Sequence, residues 1–461
     1  MKRSSSRCAD QDARSEGVPT EVGSAPPRPG WVPAAAPVMA AAYAVLPGLT
    51  LWGVASVWFL RCYILVALLA GVLWGGLLWQ WRPGWFSPRG IVFWGVLFRV
   101  LLLPVPPLTS TDVFRYVWDG KVFVWTGNPY RCAPVSDELR SLRDGYVFPH
   151  INHPELPTIY PPLAQVLFAV AYLLGNDSLW GIKLLSLLAE GVTLWLLGFV
   201  RLTAVGRDAS WIVAYAWCPL PILESMVGVH GDTLGMPWLA AVYLAAAGRR
   251  PVVAGLALAG AALIKLFPLV LLPALWRQER GRAVVAVSAA SLLPLVAGWA
   301  AFFLDAADPL VSLRVYVWNW QFNAPLFSGF QHWLQDGYRA RQICLLLFLA
   351  TAAGVVIRET RFIPAAQWLW LAFFLCGTTV FPWYLMWLVP GLMAGFSFPV
   401  VWLIVTAPLT CFTELGYQVE GVWRESYWVW AVEFLPVTGW LVGRGGVRIW
   451  QWHGGRRHGE S

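Results

Sequence analysis

Residues 109–130 read TSTDVFRYVWDGKVFVWTGNPY, a polar island whose placement decides how the rest of the chain is read. An apolar run ends at Pro106 and Pro107, and an amphipathic helix is predicted to follow. Asp112, Arg115 and Asp119 stand at i, i+3 and i+7 and share one face, while Val113, Phe114, Val117 and Val124 make the other. Gly127 and then Asn128-Pro129 end the helix. A carboxylate at the mouth of a membrane segment, on a helix lying along the interface, points to chemistry at a membrane surface.

Outward from this island the sequence is mostly apolar. Of 461 residues, 58% are hydrophobic and 13% charged, which excludes an ordinary soluble domain and predicts an all-α, polytopic membrane protein. The 31 tryptophans suit aromatic belts at several membrane interfaces. A net charge of +8 fits basic cytoplasmic loops, so no nucleic-acid partner is read from it. The seven cysteines form no CxxC motif. Cys62, Cys218, Cys344, Cys376 and Cys411 lie in apolar segments as small hydrophobes, and no disulfide framework is implied.

A crossing helix needs about 20 apolar residues, and about 12–14 membrane segments are expected. Candidates are 39–60, 62–81, 91–107, 178–200, 211–229, 233–248, 283–304, 342–357, 364–380, 384–396, 400–416 and 426–443. Residues 1–38, rich in Ser, Pro and Arg, read as a disordered cytoplasmic tail, and 39–90 as a transmembrane hairpin. Lys and Arg mark the cytoplasmic side. Placing Arg82, Arg89, Arg249, Arg250, Arg277, Arg280, Arg282, Arg358 and Arg361 inside keeps both termini cytoplasmic, with 444–461 as a second tail. This parity requires 161–175 not to cross, so that 108–177 is one extracytoplasmic region. It also requires 251–276 to turn back on itself, as two short helices meeting near Lys265. A second outer loop is expected at 305–341.

The polar residues collect at the outer ends: Asp112, Arg115, Asp119, Lys121, His150, His153, Glu224, His230, Asp232, Lys265 and Arg314. A chemical site is therefore expected to face outward. Asp112 reads as a catalytic acid or, more plainly, as a helix cap. Asp119 reads as a partner of Arg115 or Lys121. His230-Gly231-Asp232 is either a polar turn between spans or a substrate contact. His150 and His153 have no obvious third ligand, so no cofactor is called for, and a bound divalent metal, although open, has no supporting residues. Arg99 and Glu190 each stand near the middle of a predicted span, where a charge costs about 2.5–3.5 kcal/mol. Their opposite signs and similar depths predict an ion pair; the sharper alternative is a proton or substrate pathway.

Five stretches carry a resemblance: TDVFRYVWDGKVFVWTGNPY (111–130), INHPELPTIYPPLAQVLFAVAYLL (151–174), VGVHGDTLGM (227–236), ALIKLFPLVLLP (262–273) and FPWYLMWLVP (381–390). In this order they resemble GT-C-type integral-membrane glycosyltransferases, in particular bacterial mannosyltransferases that use a polyprenyl-phosphate sugar. The resemblance covers about residue 91 onward, so 91–443 is expected to be the catalytic domain. It implies a lipid-linked donor, an outward-facing site in the plasma (inner) membrane and an essential acid in the first large outer loop, where Asp112 falls. Relatives often carry two adjacent acids there; Thr111-Asp112 leaves a single-base mechanism and weakens a metal-binding acid pair.

The expected reaction is attack of an acceptor hydroxyl on the anomeric carbon of a polyprenyl-phosphate hexose, the sugar being mannose by resemblance alone, with inversion. Asp112 is the expected base. Lys265, then Arg314, are expected to meet the leaving phosphate, and Arg115 the phosphate or Asp112. His230 and Asp232 are expected to bind sugar hydroxyls. Tyr160, with Tyr116 and Trp118, offers aromatic faces. The acceptor is left open among a lipid, a glycan and a protein. Competing readings are a flippase for lipid-linked sugars and a non-catalytic subunit of an envelope assembly.

Overall fold

A computed structural model of the chain describes residues 28–199, 209–305 and 308–455. Most of the expected N-terminal tail and residues 456–461 lie outside the described residues. Among the described residues the chain is helical throughout, with no strand and a single bridge between Phe322 and Thr379. In order, the helices before the polar island are α1 (Ala35–Leu51), α2 (Ser56–Gln80) and α3 (Pro88–Leu102). The island itself is α4 (Asp112–Thr126), followed after a long coil by α5 (Pro162–Gly175) and α6 (Trp180–Phe199). The middle of the chain is more broken: α7 (Val213–Ala216), α8 (Pro219–Met226), α9 (Met236–Ala247), α10 (Pro251–Ala262) and α11 (Leu272–Gln278). Then come α12 (Arg282–Asp305), α13 (Val311–Asn319), α14 (Pro325–Leu334), α15 (Gly337–Arg358), α16 (Phe362–Cys376), α17 (Phe398–Thr406), α18 (Cys411–Glu420) and α19 (Tyr427–Gly455).

Among the described residues six helical stretches are long and apolar enough to cross a membrane: Val32–Leu51, Ser56–Gln80, Trp180–Gly198, Arg282–Asp305, Gly337–Arg358 and Phe398–Glu420. The chain is a multi-pass membrane protein, and shorter apolar helices fill in around these. Several expected spans are interrupted instead. Residues 211–229 split at Cys218-Pro219, and Pro382–Ala394 is a buried 3-10 run with Pro390 inside it. Proline removes a backbone donor and clashes with the preceding turn, so these apolar runs cannot continue as one α-helix. Helix α5 is 14 residues long, about 21 Å at 1.5 Å per residue, too short for a 30 Å hydrocarbon core. The 251–276 stretch is two short helices flanking a turn at Lys265.

Three ties fix the polar island to the bundle. Arg99 on α3 donates from Nε and Nη2 to Glu190 Oε2 on α6, at 2.9 and 2.7 Å. Its Nη1 bonds the carbonyls of Gly95 and Ala216, and Tyr215 donates to Glu190 Oε1 at 2.9 Å, so the pair is enclosed and its polar atoms are satisfied. Lys183 on α6 donates to the carbonyls of Leu103 and Val105, the orphan acceptors where α3 ends before the prolines. Helix α4 lies directly on α5, and Gly120 permits the approach: a Cβ there would sit 2.1 Å from the Phe168 carbonyl oxygen. Gly120→Ala is therefore expected to cost about 1–3 kcal/mol, the usual price of overpacking. It should lower the thermal unfolding midpoint in detergent. Gly191→Ala on α6, with nothing within 4 Å of the added carbon, is the control; equal midpoints for the two would mean that α4 and α5 do not pack this closely.

Candidate active site

The start of α4 shows why Asp112 is free for chemistry. Thr111 occupies the N-cap position without a side-chain cap bond, and the Asp112 amide donates to Ser110 Oγ at 3.1 Å. Asp112 is thus the first helical residue rather than the cap, where the helix dipole favours a negative charge. Gly127 closes the other end at φ 78°, a left-handed conformation that glycine adopts without strain.

One turn along, the carboxylate and guanidinium of Asp119 and Arg115 are spent on structure. Arg115 Nε donates to Asp119 Oδ1 at 2.8 Å, and its Nη1 and Nη2 reach the carbonyls of His153 and Leu156. Thr158 donates to Asp119 Oδ2, and Gln165 on α5 donates to Thr158. Burial raises the Asp119 carboxyl above its ordinary value, and Arg115 and Thr158 oppose it. This network straps the 153–158 coil onto α4. The strap carries Asn152 over the helix start, where its Nδ2 donates to Asp112 Oδ1 at 2.6 Å.

Asp112 opens into a cavity of about 1090 Å³, shared with Arg115, Tyr116, Tyr160 and Lys265 among others. The first-turn amides of Leu163 and Ala164 on α5 both donate to the Leu263 carbonyl, which docks α5 beside the Lys265 turn. Lys265 Nζ is held by both carboxylate oxygens of Asp232, at 2.9 and 2.8 Å. It also lies 3.9 Å from the ring centroid of Tyr384, which adds a cation–π contact. Asp232 accepts from Trp387 Nε1 at 2.6 Å as well. Burial lowers the Lys265 ammonium below its ordinary value, and the charges of Asp232 and then Asp112 oppose this.

The other sequence-derived candidates are distributed differently. His230 is fully buried, stacked on Trp383 at 3.7 Å between centroids, with Nδ1 2.8 Å from Glu224 Oε2. It does not line the cavity, and neither does Asp232; both support residues that do, Trp383 and Lys265. The preceding Val229 has φ 54°, a strained setting for a β-branched residue, held in place as the chain turns to present His230 and Asp232. Arg314 is exposed and paired with Asp308 outside the cavity, although its helix α13 supplies Tyr316 to the wall. Trp118 is buried against Phe148 and does not reach the cavity. His150 and His153 both line it, His150 stacked on Phe114 and His153 edge-on to Trp320. Among the described residues no group of three or more His, Cys, Asp or Glu is placed to hold a metal ion.

Sequence reasoning missed Asn152, Trp383, Tyr384 and Glu414. Asn152 stood between the two histidines of His150-Ile151-Asn152-His153, and Trp383-Tyr384 stood in the FPWYLMWLVP stretch. Nothing in the sequence singled out Glu414, which the fold alone brings into the cavity wall.

Residues 21–280, more than half of the chain, match the family model described as "Alpha-(1->6)-mannopyranosyltransferase, N-terminal domain". No curated protein and no solved structure matches the chain.

Proposed function

The chain belongs to the alpha-(1->6)-mannopyranosyltransferase family of GT-C-type membrane glycosyltransferases, and from that premise we propose that it moves mannose from a polyprenyl-phosphate donor to an acceptor hydroxyl, with Asp112 as base. The observation that carries this reading is the meeting of an oriented carboxylate, Asp112 held by Asn152, with the caged ammonium of Lys265 in one cavity.

In the proposed step the acceptor oxygen attacks the anomeric carbon while the bond from that carbon to the phosphate oxygen breaks. Asp112 takes the hydroxyl proton, and the electron pair of the broken bond leaves on the polyprenyl phosphate. The developing charge on that phosphate is met by Lys265, whose position is set beforehand by Asp232 and Tyr384. In-line attack gives inversion. Residues 108–177 would form the catalytic region of a 91–443 domain on the outer face of the plasma (inner) membrane, with 305–341 as a second outer loop. The flippase reading needs functional charges near the membrane midplane; Arg99 and Glu190 neutralise one another there, which favours the transferase.

The test is transfer of labelled mannose from polyprenyl-phosphate mannose by the purified full chain. Wild type is expected to transfer, and Lys265→Met to lose about 10²–10³ in kcat, the cost of removing one preorganised donor from a developing oxyanion. An inactive wild type in membranes that contain acceptor, or full activity of Lys265→Met, would refute the donor assignment.

A further inference from the structure

Residues 319–322, at and after the end of α13, line the cavity, and Asn323 just behind them is gripped by two carboxyl groups. Asn323 has φ 49°, a left-handed backbone that its surroundings must hold. Its amide donates to Glu425 Oε2 at 2.5 Å, and its Nδ2 donates to Glu433 Oε2 on α19 at 2.8 Å. Glu425 Oε2 also accepts from Trp430 Nε1 at 3.2 Å. On the cavity side, the Phe322 amide donates to the Thr378 carbonyl and the Val380 amide to the Phe322 carbonyl, while the Phe322 ring stacks on Phe381 at 4.6 Å. Asn323 therefore fastens the cavity wall to α19 and to the connection that precedes it.

Two atoms of this clamp have no partner. Glu433 is 1% exposed and Asn323 3%, yet Glu433 Oε1 and Asn323 Oδ1 make no hydrogen bond. Both are acceptors, so neither can serve the other while Glu433 is a carboxylate. No cation compensates: among the described residues no ion pair includes Glu425 or Glu433. Helix α17 and Ala407–Thr410, which pack on α19, carry no titratable side chain. Cys411 on α18 lies in the field of Glu433 together with Glu414 and Glu224, all acids. Arg341 on α15 is spent on the Val317 and Trp320 carbonyls, and Arg424 is exposed. The void beside Asn323, Thr413 and Glu425 is too small for a water molecule. A bare carboxylate is costly in such a place. One proton on Glu433 Oε1 makes that atom a donor, and Asn323 Oδ1, next to the Nδ2 already bonded, is the acceptor it lacks. We propose that Glu433 is a proton-dependent latch: as the neutral acid it pairs with both polar atoms of the Asn323 side chain and so positions the Phe322 wall, and loss of the proton releases it. The latch rests on this geometry and not on the transferase reading.

Glu433→Gln is the decisive variant, because its side-chain amide carries permanently the donor and the acceptor of the neutral acid. The detergent-purified full chain is followed by thermal unfolding across pH. A proton held in the folded state and released on unfolding makes wild-type stability fall as pH rises above the ordinary carboxyl range. Glu433→Gln should match wild type at acid pH and exceed its unfolding midpoint by about 2–4 °C at alkaline pH. Asn323→Asp, which keeps the left-handed backbone accessible but turns an acid toward Glu433, should lower the midpoint, and more so as pH rises. Infrared spectra at neutral pH should show in wild type the carbonyl band of a protonated carboxylic acid that Glu433→Gln lacks. In transfer assays the alkaline fall in rate should begin at higher pH in Glu433→Gln than in wild type. A constant gap between wild type and Glu433→Gln at all pH values, a Glu433→Gln variant less stable than wild type at alkaline pH, or identical infrared spectra would overturn the latch. Stabilisation by calcium ions with no pH dependence would overturn it too, by putting a cation where the proton is assigned. A chain that transfers nothing, yet shows the band and the pH-dependent gap, would fault the transferase reading and leave the latch standing.

Discussion

Replacing Asp112 by Asn is expected to lower kcat for mannose transfer by about 10²–10⁴, the range that a positioned general base contributes. The amide cannot take the acceptor proton, yet it has nearly the shape of the carboxylate. Because Asp112 is not a cap, helix α4 should form as before, and the unfolding midpoint should stay near wild type. The donor KM should change little, since Lys265 and its cage are untouched. Asn152→Ala removes only the bond to Asp112 Oδ1 and should cost about tenfold, consistent with ~1.5 kcal/mol for one hydrogen bond to a charged group. Single-turnover rates with saturating donor are the cleanest measure. Undiminished transfer by Asp112→Asn would remove Asp112 as the base and shift attention to Glu414, the other carboxylate named in this cavity.

The largest stability effect is expected at Arg99 and Glu190. Both are enclosed, at 1% and 0% side-chain exposure, so neither can turn to water when its partner is lost. Arg99→Leu alone leaves a buried carboxylate facing only Tyr215, and Glu190→Leu alone leaves a buried guanidinium with two carbonyl contacts. Each single change should destabilise by about 3–5 kcal/mol, while the double change to Leu should cost clearly less than the two together. Unfolding in detergent, followed for the wild type, both single variants and the double variant, gives the coupling. Additive losses would mean that the two residues do not act as a pair.

Much of this protein was legible without coordinates. Apolar composition and long hydrophobic runs dictate membrane helices, because an unpaired backbone in lipid is too costly. Charge parity set 161–175 apart from the expected crossings, and the helix there, α5, is 14 residues long. The Asp112 helix, its end at Gly127 and the turn at Lys265 are local matters of spacing, glycine and proline, and they follow from neighbouring residues. Local reasoning was weaker where proline broke an apolar run, as at Pro219 and Pro382–Ala394, because hydropathy counts apolar residues and is blind to the missing donor.

Which polar group faces which was a different question. Arg115 and Lys265 look alike as cations near an acid and both line the cavity, yet Arg115 is tied to Asp119 and two coil carbonyls, whereas Lys265 is held by Asp232 beside the Tyr384 ring. His230 and Asp232 stood in one turn with equal claims on substrate, and both lie one layer behind the cavity wall, against Trp383 and Lys265. Asn152 and Glu414 arrive at the cavity from positions 40 residues after and far beyond Asp112 in sequence. The sequence by itself determined the apolar helical character of the chain and the acidic helix at 112, because these depend on side-chain polarity and backbone propensity over a few turns. Only the tertiary structure decided which of the collected polar residues share the cavity and which hold its walls, because that depends on contacts between segments far apart in the chain.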